Sequence, residues 1–415
     1  MKHISLILIY LFLQDGVSVA QKRTPAKLPL SFEMARQMHA EAEYAHLFAK
    51  GDESKIKAFI SENGGSYKYR FHNYHALYMP VDQVETLSQQ SFVSHVHFEL
   101  SKGEALLNES LIQTNTKEVH AGDQGLPDQF KGEGVIMGII DAGIELQHPD
   151  FKHADGSTRI IELWDQTMAY DPLLTPAYGY GQVWDSTSIN AQNCPHQDQI
   201  QFFGHGTNVA GIAAGNGLSN DDFIGHAPES ELIVVSSNFS AIGWTNTVAD
   251  AVDYIFARAE ALGKPCVINA SIGSYLGSHD AKDIASLAIE DDITEQHGRI
   301  MVCAAGNSGS QDPYHLGYEA DSDTTFTWFK AQPNATIGDG LIFFEMFGDS
   351  NDFERLQFSI GADQVVGNYA HRGQLGFDSV LNRLNIYYED TLWSFNGNFL
   401  ARFRTYGELV NGVYR

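Results

Sequence analysis

The first hundred residues change their pattern of hydrophobic and polar positions once. Residues 32–63 place apolar residues among charges at helical spacing, which predicts amphipathic helix. Residues 66–98 alternate like strands and are interrupted by one helical stretch that Pro80 introduces. The elements predicted there are strands at 66–71, 74–79 and 92–98 and a helix at 81–90. Strand, strand, helix and strand in so short a span predict a small α/β module.

After Gly132 the pattern becomes strand, loop and helix in repetition. Residues 135–140 form a continuous apolar run, as expected for a strand that is covered on both faces. Further strands are predicted at 232–235, 266–268 and 300–304, and helices at 205–214, 246–262 and 279–297. This alternation predicts an α/β fold with a doubly wound parallel sheet and helices on both sides.

Helical periodicity fades in the last part of the chain. Short aromatic and β-branched runs alternate there with Gly and Asp turns, as in an antiparallel β-sandwich. The runs lie at 326–329, 341–344 and 384–388. We therefore expect a β-rich, sandwich-like insert over 321–415, and we interpret it as incomplete. An adhesion or carbohydrate-binding role for it would rest on composition alone.

Charge and cysteine content argue against nucleic-acid binding and against a disulfide framework. The chain has 415 residues, enough for two or three domains, and carries 26 basic against 52 acidic residues, a formal charge of −26. Nucleic acid is not an expected partner, because binding a duplex requires clustered Lys and Arg. Cys194, Cys266 and Cys303 allow one disulfide at most, and the apolar runs around Cys266 and Cys303 predict buried, inert thiols. No Cys/His cluster has zinc-ligand spacing.

The N-terminus has the pattern of a signal peptide. Met1-Lys2-His3 is a basic start, residues 4–13 are almost all apolar, and Ser18-Val19-Ala20 supplies small residues, which predicts cleavage after Ala20. The apolar run is much shorter than the roughly 20 residues of a membrane-spanning helix. We expect an exported protein (extracellular, periplasmic or at the cell surface) without a transmembrane anchor.

Three polar residues follow predicted strands or open a predicted helix. Asp141 comes directly after the first strand, His205 opens a helix between two glycines, and Asn307 follows the strand at 300–304. An isolated Asp or Asn at such a place is usually only a turn residue, but the carboxyl ends of parallel strands meet at one edge. The glycines at 132 and 134 precede their strand, so they do not form a dinucleotide-binding fingerprint.

Together these motifs resemble the subtilase family of serine peptidases. The four matching segments occur in the family's order: 138–144 (Gly-Ile-Ile-Asp-Ala-Gly-Ile), 204–211 (Gly-His-Gly-Thr-Asn-Val-Ala-Gly), 267–273 (Val-Ile-Asn-Ala-Ser-Ile-Gly) and 304–309 (Ala-Ala-Gly-Asn-Ser-Gly). Ala142 stands where the family usually has Thr or Ser, and Asn208 where His is commonest. His148, in a His-Pro-Asp-Phe segment, corresponds to a structural histidine.

The resemblance implies a role for each site residue. His205 would act as general base and acid, Asp141 would orient its imidazole, and Asn307 would donate to the oxyanion. Ser271 and Gly273 would pair their backbone with an extended substrate peptide. The partners implied are polypeptide substrates, and no cofactor is required for the chemistry. A structural calcium is possible, although 220–222 (Asn-Asp-Asp) is too short a signal to define a metal site.

One family feature is missing. The nucleophilic serine lies in a Gly-Thr-Ser-Xaa-Ala segment, and the sequence contains no such segment. We interpret the chain as a truncated serine endopeptidase that alone is inactive; the alternative is a natural, catalytically inactive peptide-binding or inhibitory protein on a subtilase scaffold.

The resemblance also divides the chain. We expect a signal peptide over 1–20, a propeptide-like module over 21–105, a linker over 106–131 and the N-terminal part of the catalytic core over 132–320, before the insert. The module would be the enzyme's own propeptide, which assists folding and inhibits; the alternative is a separate interaction domain.

Overall fold

The computed structural model describes most of the chain up to residue 307 and parts of the remainder. The described residues are 5–7, 10–12, 23–25, 27–38, 43–98, 104–105, 114–123, 125–219 and 223–307, and then 326, 328, 344–353, 355, 357–362, 372–376, 384–410 and 412–414. Among them, no helix combines the length and the apolarity needed to span a bilayer.

The strands and helices are numbered in chain order. The strands are β1 Ser5–Ile7, β2 Tyr10–Phe12, β3 Arg23–Pro25, β4 Tyr44–Gly51, β5 Ser66–Phe71, β6 Tyr74–Pro80, β7 Val93–His97, β8 Glu104–Ala105, β9 Ile136–Asp141, β10 Ile160–Asp165, β11 Gln182–Asp185, β12 Glu231–Ser236, β13 Cys266–Ala270, β14 Ile272–Gly273, β15 Arg299–Cys303, β16 Glu345–Asp349, β17 Ser359–Ala362, β18 Gly373–Gly376, β19 Ile386–Trp393, β20 Phe399–Thr405, β21 Leu409–Val410 and β22 Val413–Tyr414. The helices are α1 Leu30–Met38, α2 Glu53–Glu62, α3 Val81–Gln89, α4 Thr116–Ala121, α5 Ser186–Asn190, α6 His205–Ala214, α7 Trp244–Ala261, α8 Ile284–Glu295 and α9 Ser350–Phe353.

The largest sheet has the order β11-β10-β12-β9-β13-β15 and is parallel except for β11, which runs antiparallel to β10. Every residue of β9 is buried. Residues from α6 pack with Ile139 on one face, whereas residues from α7 pack with Ile140 on the other. The predicted doubly wound α/β core is therefore present.

The sequence did not predict two strands of this sheet, β10 and β11. β10 contains Glu162 within an otherwise apolar run, which obscures its strand pattern. In the structure Glu162 accepts hydrogen bonds from Tyr254 (2.6 Å) and from Arg258 (2.7 and 3.2 Å), so the carboxylate is paired beside the sheet. A partner almost a hundred residues away gives no local signal.

The N-terminal module, defined as residues 27–98, contains an antiparallel sheet of order β5-β6-β4-β7. Its elements from 66 to 97 match the predicted ones. The continuous helical pattern predicted for 32–63 is wrong, because β4 separates α1 from α2. β4 pairs with β6 on one side and β7 on the other, and this pairing overrides its helix-compatible sequence.

The β-rich segment, which contains β16 to β22, forms short antiparallel sheets. β19 and β20 form a hairpin that pairs with β3 and β2, and β16 pairs with β1 and β22. The run predicted at 384–388 begins β19, whereas those at 326–329 and 341–344 lie largely outside the described residues. The segment packs on the N-terminal module, where Tyr387 and Tyr406 contact its core.

Candidate active site

Asp141 and His205 lie together at the carboxyl edge of the main sheet. The Nδ1 atom of His205 donates to the Oδ1 atom of Asp141 at 2.7 Å, and the Ala142 amide donates to the same oxygen at 2.7 Å. Burial raises the pKa of Asp141, while the hydrogen bond from His205 acts in the opposite direction. The pair has the arrangement in which a carboxylate fixes the tautomer of an imidazole.

Two glycines allow this close approach. A side chain on Gly206, in the first turn of α6, would put its Cβ only 2.0 Å from the Gly143 carbonyl oxygen. Gly143 itself has a φ of +130°, which residues with a side chain rarely adopt. The first turn of α6 therefore rests directly on the loop after Asp141.

Asp198 holds the same turn in place. Its Oδ2 atom accepts from the Thr207 amide (3.1 Å) and the Thr207 hydroxyl (2.6 Å). The Thr207 hydroxyl oxygen in turn accepts from the Glu145 amide at 2.8 Å. These bonds tie α6 to the loop that carries Asp141.

A second, buried His–Asp pair lies behind that loop and was missed from the sequence. His196 Nδ1 donates to Asp165 Oδ2 at 2.5 Å, and the Ile144 amide donates to His196 Nε2 at 3.2 Å. Although burial opposes ionisation, the hydrogen bonds from His196 and Thr167 hold the pKa of Asp165 below its usual range. His196 lies outside any motif, and Asp165 ends β10, which was not predicted.

Asn307 lies where the sequence places it, four residues beyond β15. It is exposed, and its backbone amide donates to the Tyr275 hydroxyl at 2.9 Å. Gly306 has a φ of +98°, and a Cβ there would lie 2.9 Å from the same hydroxyl. Tyr275, which the sequence analysis did not single out, therefore positions the Asn307 turn.

An open groove of about 610 Å³ lies between α6, β13 and β15 and ends at Asn307. Its wall includes Val209 and Ile212 from α6 and Val302 from β15. Val302 is 52% exposed, which is unusual for a large apolar residue in a parallel core sheet.

The prediction of a buried Cys303 is wrong. Cys303 is exposed, because it ends the outermost strand of the main sheet and borders the groove. Cys266 is buried as predicted, and all three cysteines are free thiols.

Ser271 and Gly273 lie beside the groove. The Ser271 hydroxyl oxygen accepts from Asn269 Nδ2 at 3.1 Å, and Ser271 lines the groove. Gly273 belongs to β14, which pairs antiparallel with β8, so that Gly273 lies opposite Glu104. An extended segment of the chain itself thus occupies the edge of β14.

The two remaining sequence candidates concern structure and metal binding. His148 Nδ1 accepts from the Asp150 amide at 3.3 Å and caps a short 3₁₀ turn, a structural contact. Residues 220–222, considered for calcium, lie outside the described residues.

Comparisons with known proteins identify the family of this chain. The model of the subtilase family matches residues 132–339. The chain is 26% identical over 217 residues to a PII-type proteinase of Lacticaseibacillus paracasei, covering 51% of this chain and 11% of that protein. It is 26% identical over 226 residues to subtilisin of Bacillus sp. (strain TA39), covering 52% of this chain and 44% of that protein.

Among solved structures, the chain is similar to the CspB protease of Clostridium perfringens. The identity is 25% and the TM-score 0.38, covering 48% of this chain and 41% of that one. The chain thus spans less than half the length of each of these three relatives. Since the family model covers half of the sequence, and that half contains Asp141, His205 and Asn307, the chain belongs to the subtilase family.

Proposed function

We propose that this chain supplies the Asp, His and oxyanion Asn of an exported serine endopeptidase. The observation that carries the proposal is the 2.7 Å contact between His205 and Asp141 at the edge of the parallel sheet. With Nδ1 bound to Asp141, Nε2 is the ring nitrogen that takes the proton from a serine hydroxyl and returns it to the leaving amine. Asp141 stabilises the imidazolium that forms.

Asn307 is the proposed oxyanion donor. It is exposed at the end of the groove, and the Tyr275 hydroxyl holds its backbone. A side-chain amide that donates to the tetrahedral oxyanion lowers the barrier by about 3 kcal/mol. The assignment agrees with its place after β15, at the same edge of the sheet as Asp141.

The nucleophile would come from residues that this sequence does not contain. The groove beside α6 supports this proposal, because its wall exposes Val302 next to the helix that His205 begins. A further helix that packs there would cover the apolar wall and bring its first turn near the imidazole. The chain would then be part of a longer polypeptide, as its partial coverage of its relatives allows.

The backbone of 271–273 is the proposed binding strand for polypeptide substrates. The pairing of β14 with β8 supports it, since an extended peptide already uses this edge. We propose that β8 belongs to the enzyme's own propeptide, which blocks the site until it is removed. Export is proposed from the basic, apolar and small residues of positions 1–20, and a structural calcium ion stays a proposal.

A second candidate is an inactive peptide-binding or inhibitory protein on the same scaffold. The pairing of β14 with β8 favours it as well, because strand addition requires backbone groups and no serine. The two candidates differ in whether a nucleophile reaches His205.

The intact mass and the fluorophosphonate reactivity of the natively secreted protein decide between them. An active peptidase gives a product whose mass shows that it extends beyond Arg415 and that the probe labels, and His205→Ala abolishes the labelling while the protein stays folded. His153→Ala, at an exposed histidine outside the site, is the matched control and keeps full labelling. A native product that ends at Arg415 and resists the probe would overturn the peptidase proposal and leave the binding protein.

A further inference from the structure

A buried cluster of metal-ligating side chains lies far from the Asp141–His205 pair in sequence. It consists of His95 and His97 from β7 and of Glu408, which lies between β20 and β21. One ligand atom from each of these residues lies within 4.8 Å of the others. The Nε2 atom of His95 is 3.0 Å from the Oε2 atom of Glu408.

Strand geometry explains why the two histidines converge. Residues two apart on a strand point to the same face, so both imidazoles of β7 project toward the β-rich segment. Glu408 is more than three hundred residues away in sequence, and sequence motifs for zinc sites do not extend over such a distance. No Cys/His cluster with zinc-ligand spacing was found in the sequence, and such spacing does not detect a cluster whose third member is a distant Glu.

The position of Glu408 is fixed by contacts on both sides of it. Arg404 donates to Glu33 of the N-terminal module at 2.6 Å, and the Tyr387 hydroxyl donates to the Leu28 carbonyl oxygen at 2.6 Å. Val410 packs against the core residues of α7 and α8. The surrounding structure therefore holds the Glu408 carboxylate against β7, and its position does not depend only on the contacts of Glu408 itself.

The chemistry of the cluster points to one class of ion. The Glu408 side chain is only 1% exposed, and burying a carboxylate is costly unless a positive group compensates it. Two imidazoles and one carboxylate are a ligand set that binds Zn²⁺, and a water molecule would be the fourth ligand. Tetrahedral Zn²⁺ with ligands at about 2 Å separates them by about 3.3 Å, so the ligand atoms need to draw together by at most about 1.5 Å. Calcium prefers oxygen ligands, and two of these three are nitrogen.

We propose that His95, His97 and Glu408 bind one zinc ion, which clamps the N-terminal module to the β-rich segment. The ion compensates the buried carboxylate and joins β7 to the chain near β21. Its role is structural and independent of peptide hydrolysis.

The test measures zinc in the full chain. The protein is purified without chelator, dialysed, and its zinc content measured by mass spectrometry; affinity is then measured by competition with a chromophoric chelator. We expect one zinc ion per chain. Glu408→Gln, which preserves shape, and His97→Ala should each weaken binding by at least about 100-fold, more than the loss of an outer-shell partner causes. His153→Ala, the exposed-histidine control, should leave it unchanged.

Cobalt substitution gives a readout that requires no variant. Co²⁺ in this site should show d–d absorption without the sulfur charge-transfer bands that cysteine ligands produce, and Ca²⁺ should not displace it. The proposal is overturned if the chain holds no zinc, if Glu408→Gln binds zinc as tightly as the wild type, or if the cobalt spectrum shows sulfur ligation.

Discussion

The contact between the N-terminal module and the core includes a buried ion pair whose loss should be costly. Lys68 of β5 donates to Asp250 of α7, and their side chains are 1% and 0% exposed. The Tyr180 hydroxyl also donates to Asp250 at 2.8 Å, and His46 lies 3.2 Å from the lysine nitrogen. Burial raises the pKa of Asp250, while Lys68 acts in the opposite direction. The lysine is therefore the main compensation for this carboxylate.

Lys68→Met keeps the length of the side chain and removes its charge. Breaking a buried pair at one partner typically costs about 3–5 kcal/mol, because the other charge stays buried. The control is Arg70→Met on the same strand, where the ion pair with Glu53 has side chains 57% and 33% exposed. An exposed pair contributes only about 0–1 kcal/mol.

The assay is urea unfolding of the full chain, followed by circular dichroism, for both single variants and for Lys68→Met combined with Asp250→Asn. The double variant removes both charges and should recover much of the loss, which gives a coupling energy of several kcal/mol. If Lys68→Met destabilises the chain no more than Arg70→Met does, the buried pair does not stabilise the contact between the module and the core, and the reasoning is refuted.

Two further predictions concern the core. Gly206→Ala should destabilise the chain by about 1–3 kcal/mol, because the added Cβ clashes with Gly143. Gly211→Ala, in the same helix but with open space around it, should stabilise the chain by up to about 1 kcal/mol; the melting temperatures of both variants test this, and equal shifts would contradict it. Burial and the nearby Asp253 raise the pKa of Asp292 to about 7, so the folded state holds this proton more tightly than the unfolded chain does. Stability is therefore lost as pH rises from about 4, where this carboxyl ionises in the unfolded chain, to about 7, where it ionises in the folded state. Above that pH the free energy of unfolding of Asp292→Asn should exceed that of the wild type by at most about 4 kcal/mol, and below about pH 4 the two should not differ. Urea midpoints measured from pH 4 to 8 check this, and a difference that does not change with pH would contradict it.

The sequence alone predicted four strands of the main sheet and the two residues of the Asp–His pair. Apolar runs without alternation predicted β9, β12, β13 and β15. For β9 and β12 the reason is that strands covered on both faces need no polar positions. Asp141 and Asn307 were singled out because residues after parallel strands meet at one edge of the sheet, and His205 because it opens a helix between two glycines. Their roles came from the resemblance to the subtilase family. The local sequence pattern was sufficient to predict an element where that pattern follows from the element's own burial.

The tertiary structure decided what depends on distant partners. β4 is a strand because β6 and β7 pair with it, and β10 tolerates Glu162 because Tyr254 and Arg258 bind it. The exposure of Cys303 follows from its place on the outermost strand of the main sheet. The His196–Asp165 pair and the cluster around Glu408 join residues far apart in sequence, and only the fold brings their charges into one low-dielectric environment, where each must find a partner.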